Sequence, residues 1–161
     1  MLTSAYGWLL LVHIGAGLVG LGPSFVYGRI TQAAASAGPG QMPFAVRLTR
    51  ELSTRWTHPL AAIVLLSGLG LVWTMHYDIL RTPWLLVSTA LFLASFLYAT
   101  FIQNRDTMRS LELIMVGLPN LSDEQRAEAA RLRRRIRWGG LFMRVVVLVV
   151  LFLMVMKPQL W

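Results

Sequence analysis

Residues 139–156 read GGLFMRVVVLVVLFLMVM, an almost unbroken apolar run in which Arg144 is the one charged residue. At about 1.5 Å per residue, a helix of this length crosses most of the roughly 30 Å hydrocarbon core of a bilayer. Three more runs of this kind lie at residues 8–27, 59–75 and 83–101. The sequence therefore predicts an all-α integral membrane protein, in which a single domain, residues 1–161, forms a bundle of four transmembrane helices.

The composition of the chain excludes a water-soluble enzyme. Of its 161 residues, 56% are hydrophobic and only 14% are charged, and the mean hydropathy is +0.59, well above the value of a soluble domain. The chain has 0 Cys, which excludes disulfides, thiolate metal sites and iron–sulfur clusters. Metal chemistry therefore requires His, Met or carboxylate side chains, or a bound cofactor.

Basic residues are distributed asymmetrically about the four spans. Most of the 15 Lys and Arg lie between the first and second spans or between the third and fourth, namely Arg29, Arg47, Arg50, Arg55, Arg105, Arg109, Arg126, Arg131, Arg133, Arg134, Arg135 and Arg137. Because cytoplasmic loops are enriched in Lys and Arg, both connections are predicted to be cytoplasmic and both termini to lie outside the inner membrane of a bacterial cell. Topology and anionic lipid explain the net charge of +8, so nucleic acid is not an expected partner.

The two cytoplasmic connections are predicted to carry helical extensions. A capping box that opens at Ser122 marks the start of the fourth helix. Residues 104–116 have helix-forming composition, and residues 117–120, GLPN, mark the tip of a helical hairpin. In the first connection, residues 44–57 are expected to be helical and to lead into the second span.

Three histidines are the main candidates for chemistry, and their depths follow from the helical rise. His13 lies about 7 Å outward of the bilayer centre, His76 about 13 Å outward and His58 about 13 Å inward. Only His13 and His76 are therefore placed to share a ligand. An ionisable side chain in the hydrocarbon faces the bundle interior and indicates function, so His13 is the first candidate. The structural alternative is a neutral His hydrogen-bonded to a Ser or Thr of a neighbouring helix.

The first span presents a strip of glycines, without side chains, beside His13. Gly17 and Gly20 follow the histidine at spacings of four and three, so they lie on the same face of the helix. Such a strip admits either a closely packed helix or a flat macrocycle held by an axial His. The spacing alone does not choose between the two.

Further candidate ligands lie at the predicted outer ends of the second and fourth spans. Haem iron accepts His/His or His/Met pairs, and Cu(I) accepts the same soft donors. The candidate metal ligands are therefore His13, His76, Met75 and Met154. Arg144 lies about 5 Å inward of the middle of the fourth span. It is expected to extend to the headgroups, or to bind a carboxylate such as a haem propionate, which makes it a candidate cofactor-binding residue with His13, Gly17, Gly20 and His76.

Short motifs in all four spans resemble those of the HemJ-type membrane proteins, the haem-linked protoporphyrinogen oxidases of many bacteria. The motifs are Leu11-Val12-His13-Ile14 and Phe25-Val26-Tyr27-Gly28-Arg29 in the first helix, Arg55 with Pro59 and Gly68 in the second, Pro83-Trp84 in the third, and Arg137-Trp138 with Val155-Met156-Lys157-Pro158 in the fourth. The pattern is also similar to that of copper-resistance D proteins. It is similar above all to an uncharacterised family of predicted bacterial integral membrane proteins.

The resemblance implies haem binding at His13. The HemJ-type proteins also have a functional Lys shortly after the Trp of the third helix, where this chain has Ser88, and a tryptophan after the first-helix His that is missing here. These departures favour a haem-binding bundle over porphyrinogen oxidation.

The leading functional hypothesis is a haem b membrane protein that transfers electrons, alone or as the membrane subunit of a redox complex. Three alternatives stay open: a haem-linked oxidoreductase that acts on protoporphyrinogen, a copper transport or resistance protein, and a structural subunit without a cofactor. The sequence does not decide whether the chain is an enzyme. The expected partners are the lipid bilayer, and a redox partner protein or a second copy of the chain.

Overall fold

Four long helices form the computed structural model, which describes residues 5–159 except for the side chains of Pro39 and Leu118. They span Ala5–Ala37, Met42–Thr74, Pro83–Val116 and Asp123–Met156, and each is long and apolar enough to cross a membrane. No strand occurs within residues 5–159. The predicted all-α class and the four membrane-spanning helices are therefore confirmed.

Each of the first three long helices consists of two α-helices joined by a segment of different pitch. The first contains α1 (Ala5–Leu21), a 3₁₀ turn (Gly22–Phe25) and α2 (Tyr27–Ala37). The second contains α3 (Met42–Leu52), a π-helix (Ser53–Thr57) and α4 (His58–Thr74). The third contains α5 (Pro83–Leu97), a π-helix (Tyr98–Gln103) and α6 (Asn104–Val116). The fourth is the single helix α7 (Asp123–Met156), and 3₁₀ turns at Pro39–Gln41 and Leu118–Asn120 lie in the connections.

Proline explains two of these changes in pitch. Pro23 lies within the 3₁₀ turn of the first long helix. Pro59 follows the first π-helix, and it has no N–H to donate to the carbonyl of Arg55 four residues earlier. The first long helix also continues to Ala37, beyond the predicted span, because the alanines of residues 33–37 favour helix.

The predicted extensions of the third and fourth helices are confirmed. The helix α6 covers the expected residues 104–116. At the start of α7, Ser122 Oγ accepts the backbone N–H of Gln125 at 3.2 Å, and Gln125 Oε1 accepts the N–H of Ser122 at 2.9 Å. Both orphan donors of the capping box are therefore bonded. Gly117, at the hairpin tip, has a φ of +84°, which glycine adopts without steric cost.

The long helices exceed the thickness of the membrane. A helix of 33 or 34 residues is about 50 Å long, against about 30 Å of hydrocarbon. The excess lies at one end, formed by residues 28–57 and 102–138, which carry twelve arginines and six carboxylates. We call this part the arginine-rich end. It places charge outside the hydrocarbon and leaves the apolar half of each helix to cross it.

The helices pack in two pairs within the apolar half. Helix α1 packs mainly on α4, and α5 packs on α7. The pairs meet at the arginine-rich end, where α3 packs on both α2 and α6 and α6 packs on α7. Towards lipid the bundle presents large side chains such as those of Leu18, Trp73 and Val155, which are 72%, 85% and 69% exposed. Burial inside the bundle is limited, as expected where the bilayer covers the apolar surface.

Candidate functional site

His13 is held by hydrogen bonds to helix α4. Its Nδ1 lies 2.9 Å from the backbone oxygen of Val64 and 3.2 Å from Ser67 Oγ. The Ser67 hydroxyl donates to the carbonyl of Ile63 at 2.6 Å, so its oxygen is free to accept. Both neighbours of Nδ1 therefore act as acceptors, and the proton of a neutral imidazole belongs on Nδ1.

This tautomer leaves a lone pair on the other ring nitrogen. Nε2 of His13 has no hydrogen-bond partner among residues 5–159, and the side chain is only half-buried. In metal-binding histidines, the hydrogen bond of one ring nitrogen to a carbonyl sets the tautomer and orients the other nitrogen as the ligand. His13 is therefore bonded to a Ser of a neighbouring helix, as the structural alternative expected. Its Nε2 lone pair nevertheless leaves it able to act as a ligand.

A glycine of α4 makes room for the imidazole. An added Cβ at Gly68 would lie 3.0 Å from His13 Cε1 and 3.4 Å from Nδ1, closer than the usual contact between carbon atoms. Ser67 and Gly68 were not predicted as site residues. The sequence feature that could have identified Ser67 is its hydroxyl group, which lies in an apolar span at the depth of His13.

The glycine strip of α1 is covered by α4. A Cβ at Gly20 would overlap Leu60 Cβ, and a Cβ at Gly17 would lie 3.9 Å from Val64 Cγ2. Of the two uses that the sequence left open, the structure has the closely packed helix. Gly17 and Gly20 thus set the distance between two helices and leave no open space for a macrocycle between them.

None of the other predicted metal ligands hydrogen-bonds His13 in the part of the chain that the structure describes. His76 is exposed in the turn after α4, with a φ of +55°, eight residues and about 12 Å beyond Gly68 along the helix. Met75 is 47% exposed at the end of α4, and Met154 lies half-buried on α7. Within residues 5–159, no three His, Cys, Asp or Glu side chains lie close enough together to hold a metal ion.

Arg144 is also separate from His13. Its Nε donates to the carbonyl of Gly140 at 3.1 Å, and its Nη1 would lie 3.9 Å from a Cβ at Gly28. Gly28 follows His13 by fifteen residues, which is roughly 22 Å along the helix. The structure therefore does not bring the predicted cofactor-binding residues His13 and Arg144 together.

The resemblance to the HemJ-type proteins places Ser88 near the position of their third-helix Lys. Ser88 has 0% exposure, and its hydroxyl donates to the carbonyl of Trp84 at 2.6 Å within α5. Its helix, α5, packs on α7. The Ser88 hydroxyl is thus hydrogen-bonded within its own helix.

A polar contact between the third and fourth helices was not predicted. Gln103 Nε2 donates to the carbonyl of Ile136 at 3.1 Å, and a Cβ at Gly139 would overlap both Tyr98 Oη and Gln103 Oε1. In an α-helix, residues five apart differ in direction by about 140°. The π-helix, with its i to i+5 bonds, turns Tyr98 and Gln103 towards the same neighbour.

Ion pairs stabilise the hairpin of the arginine-rich end. Arg109 lies 2.8 Å from Glu128 and 3.0 Å from Glu112, and its hydrogen bonds hold the pKa of Glu128 below the usual value. Arg135 lies 3.1 Å from the buried carboxylate of Asp106. The pairs Arg109–Glu128 and Arg135–Asp106 join α6 to α7.

Comparison with known proteins identifies the family of the chain. The family described as "Predicted integral membrane protein (DUF2269)" matches residues 8–158, which include all four long apolar runs. No curated protein and no solved structure matches the chain. Because the family model matches residues 8–158 and the chain has four helices able to span a membrane, the chain belongs to this family of predicted integral membrane proteins.

Proposed function

We propose that the protein binds haem b through His13 and transfers electrons in the membrane. The observation that carries this proposal is the 2.9 Å distance between His13 Nδ1 and the Val64 carbonyl oxygen, an acceptor to which Nδ1–H must donate. The Nε2 lone pair is then available to an iron atom, as in axial histidines whose second nitrogen bonds a carbonyl.

The isolation of His13 favours haem over a metal ion held by side chains alone. Structural and catalytic metal sites in proteins commonly use three or four side-chain ligands. No group of three His, Cys, Asp or Glu side chains able to hold a metal ion occurs within residues 5–159, and His76 lies about 12 Å beyond Gly68 along the helix. Haem supplies ring nitrogens of its own and requires only an axial ligand from the protein. One membrane-embedded histidine with an unshared lone pair therefore fits haem better than copper.

The surroundings of His13 also suit a haem protein. Val64 and Ser67 fix the direction of the imidazole, and Gly68 leaves room for its ring. Haem contributes one-electron chemistry when bound. The protein then contributes an axial ligand, a bonded outer shell and an apolar surrounding, which adjust the reduction potential.

The test is the absorption spectrum and haem content of protein purified in detergent from cells with sufficient haem. The wild type is expected to show a Soret band and the reduced bands of b haem. His13→Ala is expected to lose most of the haem, while His76→Ala and His58→Ala, matched single-histidine changes elsewhere, retain it. Gly68→Leu keeps the histidine but fills the space beside its ring, so it is also expected to lower haem content.

Each sample is also tested for insertion and monodispersity, because a misfolded variant would lose haem without being informative. Full haem with an unchanged spectrum in a folded His13→Ala variant would exclude His13 as the ligand. A wild-type protein that neither contains haem nor binds added haemin would refute the proposal.

A further inference from the structure

Arg144 is a charged side chain within the apolar section of the fourth long helix. It lies five residues beyond Gly139, about 7 Å into this section. Its guanidinium group carries a positive charge. Its placement in hydrocarbon is costly unless an anion or polar groups compensate for it.

Within residues 5–159, one hydrogen-bond acceptor is supplied to this guanidinium. Arg144 Nε donates to the carbonyl of Gly140, which leaves the four N–H groups of Nη1 and Nη2. All seven Asp and Glu lie within the described range, and none of their carboxylates is within 4.0 Å of Arg144. The side chain is half-buried, so its charge is neither fully buried nor neutralised by a carboxylate of the described residues.

The space around the guanidinium is free of side chains on two sides. Gly140 lies four residues before Arg144, and a Cβ there would have no neighbour within 4 Å. Gly28, on the first long helix, faces Nη1. Side chains of a helix lean towards its N-terminus, so the charged group points to the arginine-rich end and lies at the level of Gly140.

A second cation lies on the same face of α7. Arg137 precedes Arg144 by seven residues, which is two helical turns and about 10 Å. Arg137 is exposed and has no carboxylate within 4.0 Å among the described residues. Two unpaired guanidinium groups therefore flank the open surface at Gly140, at the boundary between the apolar section and the arginine-rich end.

We propose that Arg144 and Arg137 bind the phosphate group of an anionic phospholipid from the leaflet at the arginine-rich end. Guanidinium groups bind phosphate oxygens through charge-assisted, often bidentate hydrogen bonds. The surface beside Gly140 is open, since a Cβ there would have no neighbour within 4 Å and the side chain of Arg137 is exposed. The acyl chains of such a lipid would lie along the apolar part of α7. This site is separate from His13 and does not require haem.

The test measures lipid binding to the full-length protein in detergent. The wild type is titrated with phosphatidylglycerol, with phosphatidylcholine and with inorganic phosphate, and bound lipid is counted by native mass spectrometry. Phosphatidylglycerol is expected to bind most tightly. Arg144→Gln is expected to weaken its binding roughly fivefold to tenfold. The matched control is Arg134→Gln, which removes the same charge from the same helix but points about 80° away from Arg144.

Two further variants separate binding from folding. Arg144→Lys keeps the charge but loses the forked donor group, so weaker binding in a stable protein is expected. Gly28→Leu keeps both arginines and fills the space facing Nη1, and it is also expected to weaken binding. Equal weakening by Arg134→Gln and Arg144→Gln would overturn the proposal, because total charge would then attract the lipid. Inorganic phosphate that displaces phosphatidylglycerol at equal concentration would overturn the assignment to a lipid.

Discussion

Two glycines of α1 provide a matched test of how closely α1 and α4 pack. A Cβ at Gly20 would overlap Leu60 Cβ, whereas a Cβ at Gly15 would have nothing within 4 Å. Cβ atoms are attached directly to the backbone, so a rotamer change cannot relieve the overlap. The helices must separate instead, and they lose contact along their shared face.

The magnitude follows from comparing Gly20→Ala with Gly15→Ala. Both variants gain the same helix preference of Ala over Gly, about 0.5–1 kcal/mol. Only Gly20→Ala adds the cost of overpacking, about 1–3 kcal/mol. Because the helix term cancels, the two free energies of unfolding are expected to differ by about 1–3 kcal/mol, with Gly20→Ala the less stable.

The assay is reversible unfolding of both variants in mixed micelles, followed by tryptophan fluorescence. Gly15→Ala is expected to equal or exceed the wild type in stability, because its new methyl group faces open space. Equal stability of the two variants would refute the close contact between Gly20 and Leu60. A less stable Gly15→Ala would show that another molecule packs against that face.

Two predictions concern the arginine-rich end. Cysteines introduced singly at Ala37 and Glu124 are expected to be shielded from an impermeant thiol reagent in intact cells, while one at Leu80 reacts, because arginine-rich loops stay in the cytoplasm; the opposite pattern would reverse the topology. The lowered pKa of Glu128 in its pair with Arg109 stabilises the fold above the unfolded pKa of about 4.3, and this contribution disappears as pH falls through the lower folded value. The melting temperature of the wild type should therefore exceed that of Glu128→Gln at pH 7 and equal it near pH 2. A difference in melting temperature that stays constant across this range would contradict the ion pair.

Local sequence features predicted the helical hairpin correctly. The capping box at Ser122 and the turn at Gly117 each depend on residues within one helical turn, so no distant contact is needed to recognise them. The two π-helices were not predicted. The segment at residues 98–103 contains no proline or glycine, and its contact with Gly139 depends on a helix far away in the chain.

The candidate site was predicted only in part. His13 was identified because an ionisable residue is rare in hydrocarbon, and a Ser on a neighbouring helix was considered as its partner. The sequence did not reveal which Ser this is, since His13 and Ser67 are 54 residues apart. The sequence also did not reveal that Arg144 lies beside Gly28 and away from His13. The depth of a residue along its helix does not show which neighbouring helix its side chain faces.

The sequence by itself determined the all-helical class, the four spans and the concentration of arginines at one end. These properties follow from hydrophobicity and helical rise, which add up along the chain without knowledge of its neighbours. Only the tertiary structure decided that Gly20 is closely packed while Gly15 is open, and that Nδ1 of His13 is the bonded nitrogen. The physical reason is that the spans are apolar on every side, so their sequence carries little information on which face meets another helix, and packing of small residues makes that choice.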